Sequence, residues 1–210
     1  MSKAFVYTEL QVAKPFAEAP WHDLNMVIRD QPGFRNKTWL AGALGTPSLG
    51  GFYEFDSIDN ARAFVTGYFP AEAARFGVPQ TTRVFDGAVV EEASRDMGSV
   101  HFGARLKQPA GAFVYTEVQL SVPFENVPWR AMNPVLKAQP GILAKTWLSG
   151  VHTRTPGGIY AFDTVENARR FATDYFPTEA AGLGAAFTTR VFDAAPVAEA
   201  SRDLFSPFFA

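Results

Sequence analysis

The first clear pattern in the chain is an alternation of side chains between Ala4 and Val12. Successive side chains of an extended segment point to opposite faces, so this pattern predicts a strand with two different faces. One face carries Phe5, Tyr7, Glu9 and Gln11, and the other carries Val6, Thr8, Leu10 and Val12. Polar side chains on a strand that otherwise looks buried are candidates for a paired or functional role.

Helical and extended patterns alternate after this strand. They predict, in chain order, a helix over Trp21–Ile28, strands at Phe34–Gly42 and Gly51–Asp56, a helix over Ile58–Tyr68 and a strand at Thr81–Asp86. Gln31-Pro32-Gly33 is a helix stop, Ser57 is a suitable cap for the second helix, and Pro70 breaks or kinks that helix. A second short helical turn then ends near Gly77.

The whole pattern occurs twice, because Ala4 to Asp96 returns as Ala112 to Asp203 with about half of the positions identical. The repeated blocks include AFVYTE, QPG, KTWL, TTRVFD and EASRD. We therefore predict a first repeat at 1–98, a linker at 99–111 and a second repeat at 112–210, which ends in a short apolar tail. One residue is missing from a loop of the second copy, around Leu44 and His152, so we expect unequal access to the two halves.

The order β-α-β-β-α-β predicts an α+β fold in which each repeat is a ferredoxin-like unit with both helices on one face of an antiparallel sheet. The other face of each sheet would remain apolar and open. We expect the two sheets to cover each other as a pseudo-dimer within one chain, while further pairing of two chains stays open.

Composition narrows the class of protein. The 210 residues are 47% hydrophobic and 19% charged, which is enough apolar surface for a real core. The 19 Lys and Arg nearly balance the 21 Asp and Glu, which argues against nucleic acid as a partner. No apolar run is long enough for a membrane span and no export segment precedes the first strand, so we expect a cytoplasmic protein without a membrane partner.

Several motifs together resemble the YdhR-like mono-oxygenases. They are Pro-Phe after the first strand, Lys-x-Trp on the second, Gly-Gly-x-Tyr on the third and Val-Phe-Asp on the last, and they cover nearly all of both halves. That family belongs to the dimeric α/β-barrel superfamily, which also holds the antibiotic-biosynthesis mono-oxygenases. The resemblance implies an intramolecular dimeric α/β barrel and cofactor-free oxygenation of a small hydrophobic, enolisable or aromatic substrate by dioxygen. The superfamily also includes isomerases, cyclases, lyases and haem-related enzymes, so the reaction stays open.

Side chains present in both copies are the candidates for chemistry. The catalytic candidates are Glu9 and Glu117 as bases, with Lys37, Lys145, Arg83 and Arg190 as enolate stabilisers. The substrate-binding candidates are Trp39, Trp147, Tyr7, Tyr115, Tyr53, Tyr160, Tyr68, Tyr175, Asn25 and Asn133. A tryptophan beside a lysine on one strand face suits a planar, anionic or enolisable ligand.

Structural explanations compete with each of these roles. A Glu-Lys or Glu-Arg pair could hold neighbouring strands together, and the tryptophans and tyrosines could serve packing alone. No histidine repeats, cysteine is absent, and no nucleotide, dinucleotide or serine-hydrolase motif occurs, so we predict neither a metal nor an organic cofactor. A non-oxidative enzyme on a similar substrate and a small-molecule binding protein without turnover are the alternative functions.

Overall fold

The computed structural model describes residues 3–43, 45 and 47–210. Two compact units make up this part of the chain. Unit 1 consists of the chain up to Ala88 together with Ala194–Ala210, and unit 2 consists of Val89–Asp193.

Unit 1 begins with the predicted order of strands and helices. Its elements are β1 Ala4–Leu10, α1 Trp21–Arg29, β2 Phe34–Gly42, β3 Leu49–Phe55, α2 Ile58–Ala63, α3 Phe69–Phe76 and β4 Gln80–Asp86. The strands form an antiparallel sheet in the order β4-β1-β3-β2. Every residue of β1 and β3 is buried, because these are the two central strands.

Unit 2 repeats this arrangement after an additional helix. Its elements are α4 Glu91–Asp96, β5 Ala112–Val118, α5 Trp129–Lys137, β6 Ile142–Ser149, β7 Pro156–Phe162, α6 Val165–Arg170, α7 Phe176–Gly182 and β8 Phe187–Asp193. Its strands follow the order β8-β5-β7-β6, again antiparallel. The predicted α+β class and order of elements are confirmed in both halves.

The helix that follows the last strand of each repeat belongs to the other compact unit. Helix α4 follows the first repeat and lies in unit 2, whereas α8, at Ala198–Asp203, follows the second repeat and lies in unit 1. The compact units therefore divide the chain differently from the predicted repeats at 1–98 and 112–210, which describe the duplicated sequence. The predicted packing of one sheet against the other stays a prediction.

The second helix of unit 1 shows how the local sequence shapes the fold. The Ser57 hydroxyl accepts a hydrogen bond of 3.2 Å from the Asn60 amide and caps α2, as predicted. Between α2 and α3 the backbone widens into a π-helical segment at Phe64–Tyr68, where the Phe69 N–H donates to the Phe64 carbonyl. Pro70, which has no N–H to donate, follows immediately, so the helix continues in altered form instead of breaking.

None of the helices within the described residues combines the length and apolar character required to cross a membrane.

Candidate functional site

The register of β2 and β3 places three repeated side chains on one face of the sheet. Lys37 lies opposite Tyr53, and Trp39 lies opposite Gly51. Directly opposite residues of an antiparallel pair are neighbours on the same face. The motifs Lys-x-Trp and Gly-Gly-x-Tyr therefore form one cluster, although they are separate in the sequence.

Gly51 leaves room for this cluster. A Cβ at this position would lie 2.5 Å from Lys37 Cε and 2.7 Å from a ring carbon of Tyr53. In the second copy, a Cβ at Gly158 would lie 2.7 Å from Lys145 Cε and 2.8 Å from a ring carbon of Tyr160. The second glycine of the motif is thus explained by the lysine stem that lies over it.

Each lysine is buried against aromatic rings. Lys37 is 1% exposed, and its Nζ lies 2.8 Å from the centroid of the Trp39 ring and 4.8 Å from that of Tyr53. Lys145 is 2% exposed, with the same two distances to Trp147 and Tyr160. Within the described part of the chain, no carboxylate forms an ion pair with either lysine.

Burial lowers the pKa of these amines. A ring face stabilises a buried ammonium by about 2 kcal/mol. Removing that ammonium from water without a counter-ion costs several kcal/mol, which is more. The loss of solvation therefore lowers the pKa of Lys37 and of Lys145 well below the ordinary lysine value. Burial therefore favours the neutral amine form of both side chains.

A chain of hydrogen bonds holds the Trp39 ring in unit 1. The indole Nε1–H donates to Asn25 Oδ1 at 2.9 Å, and Asn25 Nδ2 donates to the Ala200 carbonyl at 3.0 Å and to Asp203 Oδ2 at 2.9 Å. The Trp39 backbone N–H donates to Ser201 Oγ at 2.9 Å. Helix α8 thus fixes both the backbone and the ring of this tryptophan.

Unit 2 contains the same chain of hydrogen bonds. Trp147 Nε1 donates to Asn133 Oδ1 at 2.9 Å, and Asn133 Nδ2 donates to the Ala93 carbonyl at 3.1 Å and to Asp96 Oδ2 at 2.7 Å. The Trp147 N–H donates to Ser94 Oγ at 2.9 Å. Helix α4 therefore has the role in unit 2 that α8 has in unit 1.

A cavity of about 570 Å³ opens beside the lysine of unit 1. Besides apolar side chains, Lys37, Trp39, Tyr53 and Tyr68 line it. The Tyr68 hydroxyl oxygen is buried and has no hydrogen-bond partner among the described residues. This volume falls in the range of small-molecule sites, and the few polar groups in an apolar lining are typical of them.

Unit 2 has a smaller cavity of about 250 Å³ at the corresponding place. Lys145, Trp147, Tyr160 and Tyr175 line it. The two cavities thus differ in volume. The sequence predicted unequal access, which stays a prediction, and Leu44, on which it partly rested, lies outside the described residues.

The tyrosines of both cavities stay protonated near neutral pH. Burial raises the pKa of Tyr53 and of Tyr160. Burial also raises the pKa of Tyr68 and of Tyr175 to about 12, with a further contribution from the carboxylates of Glu72 and Glu179, respectively. These phenols can donate hydrogen bonds to a ligand.

The two glutamates that the sequence favours as bases lie elsewhere. Glu9 is buried, but the alternation along β1 points it away from the face on which Thr8 lines the cavity. Its Oε2 accepts a hydrogen bond of 2.8 Å from Tyr7. Glu117 accepts the same bond from Tyr115 at 2.8 Å and another from Thr155 at 2.6 Å.

Other predicted residues also lie apart from the cavities. Arg83 is exposed opposite Tyr7, and Arg190 is half-buried opposite Tyr115. Asn25 and Asn133 are fully buried behind the tryptophans and position them without facing the cavities.

The repeated EASRD block supplies residues that hold the tryptophans in place and that sequence reasoning missed. Its serine and aspartate are Ser94 and Asp96 in α4 and Ser201 and Asp203 in α8. The identical sequence of the block in both copies could have marked these residues as candidates. Their contacts could not be predicted, because these depend on which unit each helix joins.

Among the described residues, no group of three or more metal-binding side chains could hold an ion. The prediction that the protein needs no metal or organic cofactor stays a prediction.

Comparison with known proteins finds no matching family model and no matching curated protein. Solved structures do match. An anthrone oxidase-like protein is 12% identical with a TM-score of 0.59, covering 91% of this chain and 90% of its own. Chlorite dismutase from Candidatus Nitrospira defluvii is 8% identical with a TM-score of 0.55, covering 96% and 94%. A candidate monooxygenase from Lactobacillus acidophilus NCFM is 9% identical with a TM-score of 0.50, covering 91% and 93%. At these identities the likeness shows a shared fold and leaves the activity open.

Proposed function

We propose that this protein is an enzyme that removes a proton from a small hydrophobic, enolisable or aromatic substrate and thereby makes it reactive toward dioxygen. The observation that carries this proposal is a buried lysine beside a tryptophan in an apolar cavity, formed twice in one chain, with no carboxylate of the described residues paired to the amine. An enzyme base works best when its pKa lies near the operating pH, and burial brings a lysine toward that range.

The proposed proton transfer creates a charge pair inside the cavity. Lys37 or Lys145 takes a proton from an activated carbon or a phenol, and the resulting ammonium pairs with the enolate or phenolate. In a water-poor cavity this pair is much stronger than in water. The lysine thus supplies both the base that the sequence assigned to Glu9 and Glu117 and the cation that stabilises the anion.

Oxygenation then needs no electron donor other than the substrate. The electron-rich anion reduces dioxygen, one oxygen atom enters the product, and the other leaves as water. Isomerases, cyclases and lyases share the first step, so a non-oxidative reaction is the second candidate. A binding protein without turnover is the third.

Anthrone is a suitable first substrate, because it is an enolisable aromatic ketone and gives its name to a protein of the same fold. Its reaction with one dioxygen gives anthraquinone and one water. We expect dioxygen uptake with the wild-type protein and loss of most of it in Lys37→Met/Lys145→Met, which keeps side-chain length and removes the amine.

Lys107→Met provides the matched control, because Lys107 is exposed and lies outside both cavities. Turnover that survives in the double variant would refute the proposal. Product formation without dioxygen would favour the isomerase alternative.

We also propose that the two halves are ferredoxin-like repeats of YdhR-like type that arose by tandem duplication. The support is that identical motifs in the two copies make identical contacts, from the indole-to-asparagine bond to the lysine above its glycine.

A further inference from the structure

The environment of the two lysines favours nucleophilic chemistry as well as proton transfer. The Lys37 stem crosses Gly51 and ends between the Trp39 and Tyr53 rings, and Lys37 is part of the cavity lining. Lys145 has the same setting. No carboxylate within the described residues forms an ion pair with either nitrogen, and burial favours the unprotonated amine, whose lone pair can attack an electrophile.

We propose that Lys37 and Lys145 bind small apolar aldehydes and ketones covalently, as imines. This inference rests on the proposed function for the site itself and deepens it by naming carbonyl compounds as the substrate class. The amine lone pair forms a bond to the carbonyl carbon, and the carbonyl oxygen takes up the proton that nitrogen loses. That oxygen then leaves as water while the carbon-nitrogen double bond forms. Amine and carbonyl compound thus give imine and water, without oxidation or reduction.

Imine formation serves the same deprotonation. An imine nitrogen that accepts a proton withdraws electrons from the neighbouring carbon more strongly than a carbonyl oxygen does. A proton on that carbon therefore passes more readily to the water that imine formation released, and an enamine results; in this form the lysine activates the substrate and is not itself the base. A lysine desolvated in an apolar pocket is a recognised way of activating the amine for such covalent catalysis.

Tyr68 adds a proton donor to the lining of the cavity in unit 1. Its hydroxyl oxygen is buried without a described partner and its residue lines the cavity, and its raised pKa of about 12 keeps it protonated. We expect this hydroxyl to donate a hydrogen bond to the carbonyl oxygen as it leaves. Without such a donor, the oxygen would be buried without a partner, which is costly.

Reductive trapping tests the proposal. The native protein is incubated near neutral pH with benzaldehyde and sodium cyanoborohydride, which donates a hydride to an imine and fixes the adduct as a secondary amine. Peptide mapping by mass spectrometry then gives the rate of modification of each lysine.

We expect Lys37 and Lys145 to be modified before the exposed Lys107. Each unit by which burial lowers a lysine pKa raises the fraction of neutral amine about tenfold at neutral pH, so the preference should be at least of that order. Lys37→Met should remove one fast site and leave Lys145, and unfolding in urea should abolish the preference. Modification of Lys37 and Lys145 no faster than that of Lys107 would overturn the proposal.

The outcome is separable from that of the proposed function. If trapping fails while Lys37→Met/Lys145→Met loses turnover, the lysines act as bases only and the imine proposal is wrong. If trapping succeeds while the double variant keeps its turnover, the imine site stands and the proposed enzymatic role of the lysines is wrong.

Discussion

Lys37 and Lys145 occupy positions where an apolar residue would be expected, in the middle of buried strands. Charged residue types are rarely fully buried without a partner, because the charged form loses its solvation. The same arrangement occurs in both halves, with a glycine making room each time, and this supports our proposal that the amine serves chemistry at a cost in stability.

That cost gives a prediction for the pH dependence of stability. The unfolded chain has an ordinary lysine pKa of about 10.4, whereas the folded pKa of Lys37 is lower, so between these values the unfolded chain binds more protons. The free energy of unfolding of the wild type should rise as the pH rises through this interval. Lys37→Met should be more stable than the wild type near neutral pH, and the difference should shrink toward pH of about 10.

Urea unfolding at several pH values measures this difference. Lys107→Met is the control, since its exposed amine should add no such pH dependence. A Lys37→Met variant that follows the wild type in parallel at all pH values would show that Lys37 is charged in the folded protein.

The tryptophan and asparagine form a second pair whose energetics can be measured. Trp39→Phe removes the indole donor and leaves the buried Asn25 oxygen without it, which should cost about 1–3 kcal/mol. Asn25→Leu should cost a similar amount. In a double-mutant cycle the two changes should couple by about 1 kcal/mol, and additive effects would contradict the observed contact.

Sequence reasoning at the residue scale succeeded for the cluster that repeats on β2 and β3. Lys37 and Trp39 share a face because they are two positions apart on one strand, which spacing alone can show. Glu9 was grouped with them because both copies contain it, but its face depends on the register of β1 relative to the cavity. Asn25 was predicted to touch substrate, whereas its hydrogen bonds to the indole and to α8 require the tertiary structure.

Helices α4 and α8 show the limit of sequence reasoning at the scale of elements. The strands and the helices between them were predictable from periodicity, caps and breakers. The two helices that contain the EASRD block are only six residues long, which is too short for a clear periodic pattern. Each of these helices joins the other compact unit through long-range contacts, which local sequence patterns do not predict.

The serines of these helices predict a local effect on backbone dynamics. Ser201→Ala should speed hydrogen exchange of the Trp39 amide, because that N–H donates to Ser201 Oγ. The matched variant Ser94→Ala should have the same effect on Trp147 in unit 2. Measured amide by amide, each variant should leave the tryptophan of the other unit unchanged. Equal effects of either variant on both tryptophans would contradict this assignment.

On the scale of the whole molecule, the two units contain cavities of unequal size. The cavity of unit 1 is about 570 Å³ and that of unit 2 about 250 Å³. Residues at the two edges also differ, since Arg75 and Phe76 beside the first cavity correspond to Gly182 and Leu183 in the second copy. Under the proposed function, we expect the two copies to share a reactive amine and to differ in the substrates they admit.

Single-site variants should reveal this difference in specificity. With a tricyclic substrate such as anthrone, we expect Lys37→Met to lose most of the turnover and Lys145→Met to lose little, because the larger cavity is in unit 1. With a single-ring substrate the two losses should be closer. Steady-state rates for both variants on both substrates measure this, and equal losses on the larger substrate would contradict it.

The central claim is that each unit holds an uncharged, reactive lysine amine. Its most direct test is an NMR titration of the protein labelled with ¹³C at lysine Cε, in which each signal reports the protonation of one amine. We predict two signals that titrate well below the others, of which one is lost in Lys37→Met and the other in Lys145→Met. A titration in which the Lys37 and Lys145 signals follow the exposed lysines near pH of about 10.4 would contradict the account.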